Sequence, residues 1–336
     1  MSIFIRVEQI SDFKSISDRP YPRMNLSIIL CTYNRSELLR KALDSVAASI
    51  LPQSVEWEVL VVDNNSHDQT REVVQDFCDR HPSRFRYVFE ARQGKSYALN
   101  TGIRKAHGDI LAFVDDDVTV DPTWLQNLTS ALHNGEWCGA GGRIVLKWPP
   151  SLPGWLSVEG PLARHGLPGF DHGPDAKELI GPPFGANMAF RKEVFEKHGA
   201  FRADLGPNPD SEIRSEDTEF GRRVLAAGER LRYEPSAVVY HPVPEERITR
   251  KHLLKWWFDH GRATARECQI QPVREFCSLA AWTLRWMVTF EQRARFYGKL
   301  VVWEKVGNLV ECYSQLFDKT RRKDGAKKQS PGDFNV

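Results

Sequence analysis

Apolar residues in the first half of the chain alternate between continuous runs and a three-to-four-residue spacing. The runs are short and lie at 26–30, 58–62, 85–89 and 109–114, which is typical of strands buried on both faces. Between the first two runs, "SELLRKALDSVAAS" carries apolar residues at the helical spacing, as expected for one face of a helix. Strands alternating with helices predict a Rossmann-like α/β fold, with a mostly parallel sheet and helices on both faces. Ligands of such sheets bind beyond the carboxyl ends of the strands.

The same pattern divides the chain into four regions. Residues 1–24 are expected to be a loosely ordered lead-in, and the α/β domain extends over 25–245. Helical spacing continues alone through 246–318, where it predicts a helical extension. Residues 319–336 are polar and rich in lysine. We expect a disordered tail there, because the segment has too little apolar surface to bury.

One segment of the α/β domain, 149–185, is unusually rich in glycine and proline, which make up 15 of its 37 residues. A loop of this length inside a compact domain is either a functional lid or binding loop, or a disordered insertion.

Charge and tryptophan content separate the two larger regions. From Glu246 to the end there are 18 Lys+Arg and 10 Asp+Glu, whereas the 245 residues before it carry 28 and 34. Five of the ten tryptophans also lie in the basic end. Tryptophan with lysine and arginine suits contact with the inner leaflet of an anionic membrane through 250–317. Burial of the rings in a small helical subdomain is the alternative. We expect no nucleic-acid partner, because the positive charge is modest and no nucleic-acid motif is present.

The cysteines and the apolar runs bear on the compartment. Six scattered cysteines without a C-x-x-C pair favour a reduced, cytoplasmic setting over structural zinc. No secretory signal is visible, and no run reaches the roughly 18 apolar residues of a membrane span. We therefore expect a cytoplasmic protein, peripheral on the inner membrane face if the basic end binds lipid.

The run at 109–114 ends in three consecutive aspartates, Asp115, Asp116 and Asp117. Like charges this close repel one another unless a positive charge lies against them. Two carboxylates one residue apart can bring oxygens to one divalent cation and leave room for phosphate oxygens. The alternative is a turn with a helix cap at Asp121, which needs only one or two of the carboxylates. The third aspartate favours a metal site.

Asp63 ends the second strand, at the same sheet edge, in "VVDNNSHDQT". A carboxylate there can accept hydrogen bonds from a nucleotide, or it can simply form the turn of Asp-Asn-Asn. The first strand is followed by neither G-x-G-x-x-G nor a P-loop, so dinucleotide and P-loop chemistry are not indicated.

Three further residues have both a catalytic and a structural interpretation. Glu216 and Asp217 begin a helix after a Gly/Pro-rich loop. A carboxylate there can act as a general base, or it can only offset the helix dipole. His241 ends the strand "AVVYH" and is either a ligand that completes an oxygen-rich metal site or a structural histidine.

Five motifs in this order and at these intervals resemble an inverting family 2 glycosyltransferase of the glycosyltransferase-A fold. Each motif is weak alone, and the resemblance covers about 25–245. The motifs are "SIILCTYNRSELL", "EVLVVDNNSHDQT", "GKSYALNTGIRKAHGDILAFVDDDV", "GANMAFRKEVFEKHGAF" and "SEDTEFGRRVLAAG".

The resemblance implies a role for each matching position. Thr32, Tyr33 and Asn34 would line the nucleobase pocket, with Asp63 bonding the base. Arg92 to Lys95 would approach the base and the diphosphate.

In the family's Asp-x-Asp motif, Asp115 and Asp117 match the outer positions and Asp116 the middle one. Asp117 would bind Mg²⁺ or Mn²⁺ directly, and Asp115 would contact ribose or metal. Asp217 matches the acid that deprotonates the acceptor, with Glu216 supporting it. His241 falls where related enzymes place a last metal or phosphate contact.

These roles predict transfer of one sugar from a nucleotide-sugar, with UDP as the first candidate carrier, to a glycan or polyprenyl-linked glycan. "WTLRW" at 282–286 departs from the Gln-x-x-Arg-Trp motif of processive synthases, so single-sugar transfer is expected rather than polymerisation. One rival is a sugar-nucleotide nucleotidyltransferase, which should carry a Gly-rich basic loop where "CTYNRSE" stands. Another is a catalytically silent sugar-binding or scaffold protein, which should lack one of the key aspartates.

Overall fold

The computed structural model describes residues 25–52, 55–133, 135–163, 166–167, 169–209, 211–268 and 270–327, without the side chains of Asn25 and 318–327. The lead-in predicted at 1–24 lies outside these residues.

The strands of the described residues form one nine-stranded sheet. They are β1 (Asn25–Thr32), β2 (Glu56–Asp63), β3 (Phe85–Phe89), β4 (Ile110–Asp115), β5 (Thr119–Val120), β6 (Gly139–Lys147), β7 (Lys177–Leu179), β8 (Met188–Arg191) and β9 (Leu231–Pro242). The strand order is β3-β2-β1-β4-β8-β6-β9-β5, and β7 pairs with β9.

The two halves of the sheet differ in strand direction. In the first half, β3, β2, β1 and β4 are all parallel, as the alternating strands and helices predict. In the second half, β8 is antiparallel to both β4 and β6, and β5 and β7 are antiparallel to β9, although β6 and β9 are parallel. The α/β class is confirmed, but the sheet is mixed rather than mostly parallel. Parallel pairing needs a crossover, usually a helix, and a Gly/Pro-rich segment leads to β8 instead.

Helices cover the sheet and continue beyond it. They are α1 (Ser36–Ala47), α2 (Thr70–Arg80), α3 (Lys95–Lys105), α4 (Trp124–Ser130), α5 (Lys192–His198), α6 (Glu216–Ala226), α7 (Arg250–Glu267), α8 (Pro272–Val288) and α9 (Gln292–Lys327). A short 3₁₀ helix (Glu245–Ile248) precedes α7. The described chain contains no helix that is both long and apolar enough to cross a membrane.

The end of α9 departs from the expected boundary. Residues 319–327 are helical, whereas their polar composition predicts a disordered tail from 319. Lysine and arginine extend an existing helix readily, even where there is little apolar surface to bury. Residues 328–336 lie outside the described part.

The Gly/Pro-rich segment 149–185 packs against both regions. Phe170 and Leu179 belong to the main core of the α/β domain, and Phe170 forms an isolated bridge with Ile144. Leu156 instead packs with Trp257 and Phe296 of the helical region. Such packing favours a functional loop over a disordered insertion for the described part of this segment.

Candidate active site

Strand register brings the predicted residues to one edge of the sheet. On β1, Thr32 pairs with Asp63 of β2 and Cys31 pairs with Asp115 of β4. The carboxyl ends of these three parallel strands therefore meet, with the aspartates just beyond β1. The start of α6 and the end of β9 supply the remaining acidic and histidine side chains.

Asp116 is buried beneath the aspartate turn. Its carboxylate accepts a hydrogen bond from Thr32 Oγ1 at 2.8 Å and another from Arg35 Nη1 at 3.0 Å. Burial raises the pKa of Asp116 to about 6, and the neighbouring Asp117 adds to the rise while Arg35 opposes it. Asp116 thus anchors the turn to β1 and to the loop that follows it.

Asp117 is surrounded by cationic and imidazole groups. Its Oδ2 accepts from Arg35 Nη1 at 3.3 Å and from Arg247 Nη2 at 3.2 Å. Its Oδ1 lies 3.6 Å from His241 Nε2. These contacts supply positive charge against the aspartate cluster.

The buried His241 presents Nε2 to that carboxylate. Its Nδ1 lies 2.8 Å from the carbonyl oxygen of Pro242, which can only accept, so Nδ1 carries the proton. In the neutral ring, Nε2 is then an acceptor that faces another acceptor, Asp117 Oδ1. A cation between them would satisfy both groups, and oxygen with imidazole ligands suits Mn²⁺ or Mg²⁺.

Lys95 connects the aspartate cluster to the start of α6. Its ammonium donates to Asp115 Oδ1 at 2.8 Å and lies 3.6 Å from Glu216 Oε1. Burial alone would lower the pKa of Lys95, but the surrounding carboxylates raise it, so the charge is kept. Burial would likewise raise the pKa of Asp115, but the charge and the hydrogen bond of Lys95, together with other nearby positive charge, outweigh it and the pKa is lowered.

Glu216 is buried beside Lys95. Burial raises its pKa to about 7, although Lys95 opposes the rise. Its Oε2 has no hydrogen-bond partner in the described structure. Glu216 is therefore held next to the site and not presented to solvent.

Asp217 is fixed by backbone donors. Its Oδ2 accepts from the N–H of Gly185 at 2.6 Å, and its Oδ1 accepts from the N–H of Thr218 at 2.7 Å. Gly185 belongs to "GANMAF", so this contact joins two of the quoted motifs. It also places the end of the Gly/Pro-rich segment against Asp217.

Asp63 takes part in a turn and in a contact with β3. Ser66 N–H donates to its Oδ1 at 2.9 Å, and the Tyr87 hydroxyl donates to its Oδ2 at 2.7 Å. The turn interpretation is therefore realised, and a contact between Asp63 and a base stays a prediction.

Three other predicted residues do not touch the carboxylate cluster. Tyr33 is exposed, and the Asn34 side chain accepts from His67 N–H. Arg92 pairs with Glu90 at 3.0 Å and stacks over the ring of Tyr97. These residues lie in the loops after β1 and β3, where a nucleotide could reach them from solvent.

Two residues of the site are absent from the sequence expectations. Arg35 could have been found, because it lies within the first motif, directly after Asn34, and an aspartate cluster requires positive charge nearby. Arg247 lies beyond the last motif, and no spacing rule connects it to Asp117. Lys95, which the sequence predicts near the nucleotide, lies between Asp115 and Glu216, and its contact with a nucleotide stays a prediction.

The sequence predicts Asp115, Asp117 and His241 as the ligands of a metal. No cluster of three or more histidine, cysteine or acidic residues is arranged for metal binding in the described ranges. Lys95, Arg35 and Arg247 occupy the two carboxylates at present.

Sequence comparisons match the chain to a known family. The sequence profile described as "Glycosyl transferase family 2" matches residues 27–199, just over half of the chain. The chain is 29% identical to the succinoglycan biosynthesis protein ExoM of Rhizobium meliloti, over 74% of this chain and 76% of that protein. It is 28% identical to the glycosyltransferase AglE of Haloferax volcanii, over 77% and 80%. A glucosyl-dolichyl phosphate glucuronosyltransferase of the same archaeon is 27% identical, over 67% and 71%.

Solved structures support the fold. A mannosyltransferase from Pyrobaculum calidifontis, in complex with GDP-Man and Mn²⁺, superposes with a TM-score of 0.54 at 18% identity, over 92% of this chain and 81% of that one. GalNAc-T7 with UDP, GalNAc and Mn²⁺ gives a TM-score of 0.54 at 16% identity, over 72% and 47%. The chain therefore belongs to glycosyl transferase family 2, and its α/β domain has the glycosyltransferase-A fold.

Proposed function

We propose that the protein transfers one sugar from a nucleotide-sugar to a hydroxyl of a glycan or polyprenyl-linked glycan, with inversion at the anomeric carbon. The observation that carries this proposal is the pair of facing acceptors, His241 Nε2 and Asp117 Oδ1, 3.6 Å apart at the carboxyl edge of the sheet. A proton on His241 or a bound cation can satisfy such a pair, and a nucleotide diphosphate needs a cation as well. A UDP-sugar is the first candidate donor.

Asp117, Asp115 and His241 would hold the cation. A bound Mg²⁺ or Mn²⁺ would supply the positive charge that stabilises a departing diphosphate. The Pyrobaculum mannosyltransferase was solved with Mn²⁺ and GDP-Man together, which supports this choice of metals.

Arg35 and Arg247 complement that charge. Both guanidinium groups now bind Asp117, at 3.3 Å and 3.2 Å. When the aspartate takes a cation, each guanidinium can turn to phosphate oxygens, which it binds in a bidentate manner. The same side chains thus neutralise the aspartates before the donor arrives and the diphosphate afterwards.

Asp217 would accept the proton of the acceptor hydroxyl. Its two backbone hydrogen bonds, from Gly185 and Thr218, orient the carboxylate and leave lone pairs on both oxygens. Proton removal from a bound hydroxyl promotes its attack on the anomeric carbon. Attack from the face opposite the diphosphate inverts that carbon. Glu216 would support this arrangement by contacting Lys95 rather than the acceptor.

The loops after β1 and β2 would bind the nucleoside. Thr32, Tyr33 and Asn34 would line the base pocket with Asp63, and Arg92 would approach from the loop after β3. The Tyr87 hydroxyl, which now donates to Asp63, would have to share that carboxylate with the base.

The acceptor class follows from the relatives and from the helical region. One relative is a glucosyl-dolichyl phosphate glucuronosyltransferase and another is a dolichol-phosphate mannosyltransferase. A lipid-linked acceptor would require the enzyme to work at a membrane surface, and 250–317 would provide the contact at the inner face. This would be a cytoplasmic, peripheral enzyme.

Calorimetric titration of UDP, GDP and dTDP, with Mn²⁺ and with EDTA, tests the proposal. One nucleotide should bind in the micromolar range with Mn²⁺ and at least tenfold more weakly with EDTA. Asp117→Ala should abolish the metal-dependent part. Asp44→Ala removes an exposed carboxylate on α1 and should bind like the wild type.

If no nucleotide binds under any condition, the proposal is wrong. Equal binding with Mn²⁺ and with EDTA would instead contradict the metal role of the aspartates.

A further inference from the structure

The outer face of α8 is apolar and exposed. It comprises the positions of α8 that share one side of the helix and face solvent, Val273, Phe276, Cys277, Ala280, Ala281, Leu284, Met287 and Val288. At 100° per residue they span an arc of about 140°. The arc contains no charged residue, whereas the opposite side of α8 packs on α9.

The exposure of this face is extensive. Its five largest side chains are between 62% and 78% exposed, and Phe290 in the following turn is 87% exposed. A contiguous apolar patch of this kind on a soluble domain marks an interaction site.

Charge identifies the occupant. Arg274 and Arg285 border the outer face, and Arg293, Arg295 and Lys299 follow at the start of α9. Two acidic residues lie nearby, and both are engaged: Glu275 is buried with Lys305, and Glu291 accepts backbone N–H bonds at the start of α9. A second copy of the chain would bring the same cations together. An anionic lipid surface complements both the apolar and the cationic groups.

A pocket of about 420 Å³ opens at the end of α8, next to the outer face. Arg250, Arg295 and Lys299 line it together with the rings of Trp286, Phe290 and Phe296. None of these three cations forms an ion pair with a described carboxylate; Arg250 and Lys299 lie over aromatic rings. Three cations without an acidic partner suit a phosphate group, and the rings suit the adjoining acyl or prenyl chain.

A short stretch of chain connects the pocket to the candidate active site. Arg250 follows Arg247, which contacts Asp117, by three residues, and three residues span at most about 10 Å. A lipid phosphate in the pocket would therefore contact the same short segment, 247–250, that also contacts Asp117.

We infer that the outer face of α8 and the pocket form a docking surface for an anionic membrane, with the pocket taking the phosphate of a lipid headgroup. The link to a lipid-borne acceptor rests on the proposed function, whereas the docking itself does not. Because α8 is a single amphipathic helix lying flat, this contact needs no membrane-spanning segment.

Flotation of the full chain with vesicles tests the docking surface. Vesicles of phosphatidylcholine alone are compared with equimolar phosphatidylcholine and phosphatidylglycerol. The wild type should bind the anionic vesicles and should not bind the neutral ones. Leu284→Glu with Met287→Glu should weaken binding at least tenfold. The control, Ile50→Glu with Ile180→Glu, makes the same charge change at exposed apolar residues of the α/β domain and should bind within twofold of the wild type.

A second pair of variants tests the pocket. Arg295→Gln with Lys299→Gln removes two pocket cations, and Arg274→Gln with Arg285→Gln removes two cations from the border of α8. The pocket pair should lose severalfold more affinity for anionic vesicles than the border pair. Equal losses would mean that the pocket holds no headgroup and that only overall charge matters.

Three other outcomes would overturn the inference. The wild type could fail to bind anionic vesicles while it still binds a nucleotide with Mn²⁺, which would leave the proposed function intact. The Leu284/Met287 variant could bind like the wild type, provided that its thermal unfolding is unchanged. Sedimentation could show a dimer that this variant dissociates, in which case a second copy covers the face.

Discussion

The α/β domain and the helical region distribute their charges in opposite ways. In the α/β domain the core is aliphatic and aromatic, and buried acids such as Asp116 and Glu216 collect at one sheet edge. In the helical region, buried acids form ion pairs between the helices. Glu311 of α9 pairs with Arg262 and Arg266 of α7 at 3.0 and 2.7 Å.

The apolar side chains of the helical region complete the contrast, because much of α8 turns them outward. Burial of charge is expected at a catalytic site, where a metal and a diphosphate use it. Apolar groups on the outside are expected where a helix faces an apolar medium. The comparison therefore assigns the proposed chemistry to the α/β domain and the proposed membrane contact to the helical region. Each prediction below affects one region and leaves the other unchanged.

The largest effect is expected at the chemical step. Asp217→Asn should lower the rate of nucleoside diphosphate release from the donor about 1,000-fold, because an amide cannot accept the acceptor's proton. Nucleotide binding should change less than threefold, and vesicle binding should not change. Steady-state turnover with the donor selected by calorimetry measures this. Glu219→Gln, at a half-buried acid of the same helix turn, is a poor control because Glu219 pairs with Arg223; Asp44→Asn is the matched control. Turnover within tenfold of the wild type would exclude Asp217 as the base.

The contact between α7 and α9 should be the next most sensitive. A methyl group on Gly307 would overlap the backbone carbonyl of Phe258, which a side-chain rotation cannot relieve. Gly307→Ala should therefore lower the free energy of unfolding by about 3 kcal/mol. A methyl group on Gly298, in the same helix, would contact only Trp286, at an ordinary van der Waals distance of 3.5 Å. That control should be neutral or stabilising by up to about 1 kcal/mol. Urea unfolding followed by tryptophan fluorescence compares them, and equal stability of the two variants would contradict the close packing.

Glu216 should make stability depend on pH. Its folded pKa of about 7 exceeds the ordinary value of 4.5, so the folded state binds more protons between those pH values and stability falls as pH rises. Glu216→Gln has no such proton, so the variant should gain stability relative to the wild type between pH 5 and 8, by roughly 1–3 kcal/mol. Chemical unfolding at four pH values gives the difference. A difference that is constant with pH would mean that Glu216 is ionised throughout.

The smallest effect is expected on the outer face of α8. Leu284→Ala should change the free energy of unfolding by less than about 0.5 kcal/mol, because the side chain is already exposed. Leu300→Ala, on the buried side of α9, should cost about 3 kcal/mol. Thermal unfolding of the two variants without lipid compares them. A large loss of stability for Leu284→Ala would mean that the outer face of α8 is packed against protein in solution. That result would contradict the docking surface.

The sequence predicts the first half of the sheet well, because each parallel strand there is a short, mostly apolar run and the first three are each followed by a helix. It predicts the second half less well. Strand β8 follows a long Gly/Pro-rich segment, and no periodic pattern in the sequence indicates whether β8 is parallel or antiparallel to its neighbours. The end of α9 shows the opposite error, since polar composition predicts disorder where the helix continues.

Site residues divide in the same way. Asp115 and Asp63 could be placed at the same sheet edge because they end parallel strands, which lie on either side of β1. Arg247 could not, because its contact with Asp117 spans 130 residues and depends on where β9 and the 3₁₀ helix lead. The position of Lys95 between two carboxylates likewise depends on how α3 and α6 approach each other, which neither segment encodes alone.

The central claim is that Asp117 and its neighbours hold a cation against a diphosphate. Electron paramagnetic resonance of Mn²⁺ tests it directly, with the nucleoside diphosphate selected by calorimetry and labelled with ¹⁷O on the β-phosphate. The account predicts that wild-type protein removes the free Mn²⁺ signal, that the label broadens the bound spectrum, and that Asp117→Ala restores the free signal. Bound nucleotide with Mn²⁺ still free, or broadening that survives Asp117→Ala, would contradict it.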